Sequence, residues 1–170
     1  LRFFGNSTMT QTMVSAIAEI RQLSMLELHD TSISAGSLHH LADLPRLRFL
    51  SLCGSQVSGL EALRSLKYVE QLFLVGTNVR DQDLVYLTSL TALEELTLSR
   101  TDISDEGICH LSALHNLAHL DLSDTGLTDS GLQHLESLKS LNFLGARETS
   151  VTFRGIRCFQ EARPGCVVIL

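Results

Sequence analysis

Apolar residues along this chain follow two rhythms that alternate, and the alternation itself recurs from Leu23 onward. A stretch of the form L-x-x-L-x-L, with period two, gives way after a polar link to G-L-x-x-L-x-x-L, with period three. Period two is the signature of a strand with one buried face; spacings of three place leucines on one stripe of a helix. In Leu93–Asn116, Leu96 and Leu98 are expected inward and Glu95, Thr97 and Ser99 outward, while Leu132, Leu135 and Leu138 line a helix in Leu117–Ser140. Between the halves sit Ser104-Asp105 and Thr128-Asp129, whose side-chain oxygens can cap the free amides of the helix. The predicted unit is strand, turn, short helix.

A fixed period in the twenties with leucines at set offsets predicts a stacked solenoid. Because each strand returns through a helix, successive strands are expected side by side and parallel. The fold class is therefore α/β, a right-handed arc with a parallel sheet on the concave face and short helices on the convex face. A single domain over residues 1–170 divides into a degenerate first copy (1–22), copies at 23–46, 47–68, 69–92, 93–116 and 117–140, and a last copy with a closing strand (141–170). In the first copy Leu1, Phe3 and Phe4 suggest a poorly matched strand, and Val14, Ile17 and Ile20 a helix stripe. The copy at 47–68 is shortened after Val57-Ser58, which predicts a 3₁₀ turn or an abbreviated helix there. After the turn signal Arg163-Pro164-Gly165, the run Cys166–Leu170 reads as one more strand.

The repeat resembles those of the leucine-rich-repeat family, most closely a subtype with Thr at the ninth position followed by [IV]-[ST]-D-x-G-L, as in bacterial and protist proteins. It is related in outline to the cysteine-containing repeats of F-box proteins, which carry Cys where this chain has Thr or Ser. The resemblance covers nearly the whole chain. It implies a horseshoe whose concave face binds a protein, and it brings no catalytic residues with it.

Aligning the copies assigns side chains to surfaces. The ninth-position column of Thr31, Ser55, Thr77, Thr101, Thr125 and Thr149 is expected to be a structural ladder, each hydroxyl tying its turn to the backbone of the next coil. On the concave sheet the first strands gather Met25, Phe49, Cys53, Phe73 and Val75; later strands carry Glu95, Arg100, His119, Asp121 and Phe143. Contiguous apolar groups on a solvated sheet point to a binding surface. Cys53 would there be a thiol open to oxidation.

Composition narrows the function. A net charge of −6 argues against nucleic acid and against a polybasic membrane anchor. No apolar run is long enough to span a bilayer, so no membrane insertion is expected. No signal-peptide pattern opens the chain; it begins with Leu1 rather than Met, and a longer parent protein stays open. The four cysteines match neither a zinc motif nor a CxxC, and free thiols in the cytoplasm are expected, with an extracellular setting as the alternative. His40, His110 and His134 share one helical slot but read as a solvated face, so no metal is assigned. His119 and Asp121 alternate on one strand as half a dyad, without a nucleophile that has its own oxyanion donors. Phosphate-binding glycine loops are absent from the sequence, and no cofactor is expected. The expected function is a non-enzymatic module binding a protein partner through the concave face. The substrate-recognition part of a ubiquitin-ligase complex is one alternative; a receptor or adhesion ectodomain, hinted at by the Asn6-Ser7-Thr8 triplet, is another.

Overall fold

The computed structural model describes residues 1–4, 8–42, 44–58 and 60–170; the Asn6-Ser7 part of the glycosylation-type triplet lies outside them. Eight strands hydrogen-bond in chain order into one parallel sheet: Arg2–Phe4, Met25–His29, Phe49–Ser51, Gln71–Phe73, Glu95–Thr97, His119–Asp121, Phe143–Gly145 and Val167–Ile169. Their register pairs equal offsets of successive copies, so Met25, Phe49, Gln71, Glu95, His119, Phe143 and Val167 form one row. Leu26, Leu50, Leu72, Leu96, Leu120 and Leu144, one residue on, form a fully buried row behind it. Each such leucine is worth about 1.5–3 kcal/mol on burial, but only when the adjacent coil covers it. The run after Pro164 does close the sheet, as Val167–Ile169.

The opposite side of each coil carries a helix. Gln11–Ala18, Ala35–Leu41, Asp129–Leu135 and Phe153–Ala162 are α-helical, whereas Leu60–Ser65 and Asp81–Ser89 are 3₁₀, and Asp105–Ile108 passes into 3₁₀ over Cys109–Ala113. The shortened copy thus holds the 3₁₀ turn expected of it, but so does the full-length copy after it. A spacing of three accommodates a 3₁₀ turn, on which Leu84, Leu87 and Leu90 face one way, but the same spacing at Leu132, Leu135 and Leu138 accompanies an α-helix. In the first copy the stripe is corrected. Val14 and Ile17 are buried, but Ile20 lies past the helix end and is 44% exposed, and Met9 fills the interior instead.

The ninth-position hydroxyls do not bond as expected. Thr77, Thr101, Thr125 and Thr149 each donate to the carbonyl three residues earlier, on Leu74, Leu98, Leu122 and Ala146, within their own coil. Among the described residues only the first pair links coils: Ser55 Oγ donates to the Leu28 carbonyl and accepts from the Thr31 amide. The chain turns sharply just before this position. Asp30, Gly54, Gly76, Arg100, Asp124 and Glu148 all hold left-handed backbone, with φ of 53° to 69°. After that turn the hydroxyls of Thr77, Thr101, Thr125 and Thr149 lie over the carbonyl three residues earlier, whereas Thr31 and Ser55, after the same turn, bond between coils.

A recurrent side-chain link between later coils is an aspartate. Asp81, Asp105 and Asp129 each accept two hydrogen bonds from one residue of the next coil, its amide and its hydroxyl: Ser104, Thr128 and Thr152. The same hydroxyls cap their own helices, accepting from the amides of Glu106, Ser130 and Gly155. Three residues after each cap stands Gly107, Gly131 or Gly155, where an added Cβ would collide with the clasping aspartate. The recurrent [ST]-D-x-G is therefore one inter-coil joint, with acceptor, donor and clearance in a single motif. Where the second, smaller parallel sheet ends at Gln56–Val57, the Asn78 carboxamide continues it, accepting from the Val57 amide at 2.8 Å and donating to the Val57 carbonyl at 3.2 Å.

Candidate functional site

The row that begins with Met25 projects from the concave face, opposite to Leu50 and Leu74, which are fully buried. Met25 is 40% exposed and Phe49, Phe73, Val75 and Cys53 are half-buried. Phe49 and Phe73 occupy diagonal positions on adjacent strands and stack at 5.0 Å between centroids with an interplanar angle of 29°. Each ring covers one face of the other and leaves the remainder to solvent. Met25, paired with Phe49, extends the apolar surface toward the first strands.

Cys53 sits at the edge of this surface and is not a bare thiol. Ser51 Oγ donates to its sulfur at 3.2 Å, and His29 Nε2 lies 2.8 Å from the same hydroxyl. Behind them Glu27, 7% exposed, is paired with Arg2 at 3.0 Å, and Phe4 meets the His29 ring edge-on at 5.1 Å. Sequence alignment missed these partners because the first copy is degenerate. Their signal is that Arg2 and Phe4 hold the fifth and seventh positions, in register with Glu27 and His29.

The later strands are polar and preorganised. Gln71 Nε2 donates to Glu95 Oε2 at 2.7 Å, and Ser123 donates its amide and hydroxyl to Asp121 Oδ1 at 3.0 and 2.6 Å. Each carboxylate therefore stands in a fixed place with its second oxygen uncommitted in these bonds. His119 is exposed and lies 6.0 Å from Phe143, its rings inclined by 31°. Two hollows flank Phe143: one of about 120 Å³ toward Glu95 and Asp121, the other of about 250 Å³ over Gly145 toward Arg147. Gly145 lines the second and leaves room for the Asp121 carboxylate, which a Cβ there would meet. Arg100 is a correction. It belongs to the turn column with left-handed backbone, past the strand, and forms no ion pair with Glu95 or Asp121 among the described residues.

His110 and His134 lie on the helical side, and no group of three His, Cys, Asp or Glu suited to a metal ion occurs among the described residues. The four cysteines stand unpaired, with Cys158 exposed, Cys53 and Cys109 half-buried and Cys166 buried. Burial pushes the Cys166 thiol pKa up, against a smaller opposing effect of Arg163.

Comparison with known proteins agrees with this architecture. A family model described as "Leucine Rich repeat" matches residues 88–108 and 113–135. No curated protein matches the chain in sequence. Among solved structures, internalin C2 of Listeria monocytogenes superposes with a TM-score of 0.74 at 22% identity, over 97% of this chain and 66% of its own. An internalin from the same species, inlF, gives 0.63 at 18% identity, over 91% and 49%. A leucine-rich-repeat protein of Leptospira interrogans gives 0.68 at 22% identity, over 91% and 38%. The chain thus spans less than two thirds of each of these proteins, and at such identities the likeness is one of fold. With that repeat matched in two coils, and the parallel sheet and helical back continuing from Arg2 to Ile169, the fold of the chain is that of a leucine-rich-repeat solenoid.

Proposed function

We propose that this chain is a non-enzymatic module that binds a protein partner through its concave sheet, centred on Met25, Phe49 and Phe73. The observation that carries this reading is the Phe49–Phe73 stack, two aromatic rings held half-exposed on a face whose backbone is fixed by ladders on both sides. Such a surface loses little conformational entropy on association, so modest contacts yield affinity. Aromatic and methionine side chains are the ones enriched at interface centres. No helix among the described residues is long and apolar enough to cross a membrane. Four unpaired cysteines in four different environments suit a reducing compartment, and we place the module in the cytoplasm.

The test is capture of partners by the wild type, by a Phe49→Glu plus Phe73→Glu variant, and by Val85→Glu on the helical side, followed by binding measurements with the purified partner. Loss of the partner in the first variant alone is the expected result. Retention of every partner by the double variant would refute Phe49 and Phe73 as the centre of the binding surface.

A further inference from the structure

The hollow of about 120 Å³ on the acidic half of the concave face has a composition that selects its occupant. Its walls are mostly apolar, with Phe143 at one side and the strand backbone as floor. Glu95 and Asp121 stand on it from successive strands, each pinned by a neighbour's hydrogen bond and each keeping one oxygen outside that bond. Beside them, two residues after Glu95 and opposite Asp121, the Thr97 hydroxyl is shielded from solvent and has no hydrogen-bond partner among the described residues. A shielded hydroxyl without a partner is rare in folded proteins.

We propose that this hollow receives a basic side chain, a lysine or arginine of a partner segment laid across the sheet. Its alkyl stem would lie against Phe143 and the strand floor, and its cationic head between the Glu95 and Asp121 carboxylates. The occupant follows from charge complementarity, since two fixed carboxylates and an aromatic ring attract a cation and repel an acidic group. This inference rests on the reading of the concave face as a protein-binding surface and names what one part of it recognises.

The experiment uses three blocked tripeptides, acetyl-Gly-X-Gly-amide with X lysine, arginine or norleucine, titrated into isotopically labelled protein and followed by amide chemical shifts. The lysine and arginine peptides are expected to shift Thr97, His119 and Asp121, and their ratio of affinities reports which head group fits. Norleucine, which keeps the stem and lacks the charge, is expected to bind at least about fivefold more weakly. Glu95→Gln and Asp121→Asn should each weaken the cationic peptides by about fivefold without a change in melting temperature, and added salt should do the same. Thr97→Val, which removes the unpaired hydroxyl at nearly constant volume, should raise the melting temperature. Equal binding of norleucine and lysine, or cationic peptides that shift only residues around Phe49 and Phe73, would overturn the proposal. That second outcome leaves the concave reading standing. Conversely, if Phe49→Glu plus Phe73→Glu spares partner capture while the lysine peptide still finds Thr97, the aromatic site fails and this pocket remains.

Discussion

The aspartate joint makes a quantitative demand on Asp105 and Gly131. Asp105 accepts from the Thr128 amide at 2.9 Å and from its hydroxyl, and the alanine variant would leave both donors without that partner. Hydrogen bonds to a charged group are worth about 1.5–3 kcal/mol each when buried. Asp105 is half-exposed, so Asp105→Ala should cost about 2 kcal/mol for the pair. Gly131→Ala, inside the helix Asp129–Leu135, would by propensity stabilise by about 1 kcal/mol. Its Cβ, however, falls on the Asp105 carboxylate and against a Leu127 methyl, so the joint opens and the net result should be a loss of about 1 kcal/mol. In the double variant the carboxylate is already gone and the helix gain returns. The two single losses add to about 3 kcal/mol, while the double variant should lose only about 1–2 kcal/mol. Urea unfolding of the four proteins at one pH, with unchanged slopes, measures the cycle. Additivity within about 0.5 kcal/mol would refute the idea that the glycine exists to clear the aspartate.

Three further outcomes are expected. Hydrogen bonds from the Thr152 amide, and then from its hydroxyl, hold the Asp129 carboxyl below its ordinary value of 3.8. A depressed folded-state pKa makes the contribution of Asp129 complete above that value and lost as pH falls through the lower one, so the unfolding midpoints of wild type and Asp129→Asn should differ at neutral pH and converge in acid. A gap that persists at the lowest accessible pH would contradict this. Gly76→Ala, with φ of 63° and open space around the new Cβ, should cost about 1–2 kcal/mol from backbone strain alone; Gly54→Ala, whose Cβ meets Asp30, should cost more in the same urea assay. Four thiols should titrate in the denatured protein, and in the native protein Cys158 should react with a thiol reagent first and Cys166 only on unfolding, because burial both shields it and raises its pKa.

How far the sequence carries the structure depends on whether a property is periodic. Strand register, the buried leucine row and the outward row from Met25 to Phe143 recur at fixed offsets, and each is visible by aligning copies. The bonding of Thr101 is less accessible: a hydroxyl at this place in the repeat can reach either coil, as Ser55 and Thr101 show after the same left-handed turn. The aspartate joint was present as [ST]-D-x-G but was understood only as a helix cap, since one aligned column does not reveal that Asp105 reaches forward to Thr128. The difference between α and 3₁₀ backs rests on small differences in turn geometry that leucine spacing alone does not separate. On the concave face, the row membership of Phe49 and Phe73 was readable, but their stacking arises from a diagonal contact between strands. The Arg2–Glu27 pair was hidden because the first copy lacks the leucines that would have set its frame.

Asn78 has a consequence for how the array tolerates change in length. A carboxamide offers the same donor and acceptor as a peptide group, so this one side chain serves as a rung where the main chain of the coil does not reach. Residues can be dropped from the outer half of the preceding coil without leaving Val57 unsatisfied and without a phase error reaching the inner strands, which keep their pairing of Phe49 with Gln71 and Ser51 with Phe73. Variation in size is thereby confined to the helical rim, and the wall that would meet a partner keeps its spacing.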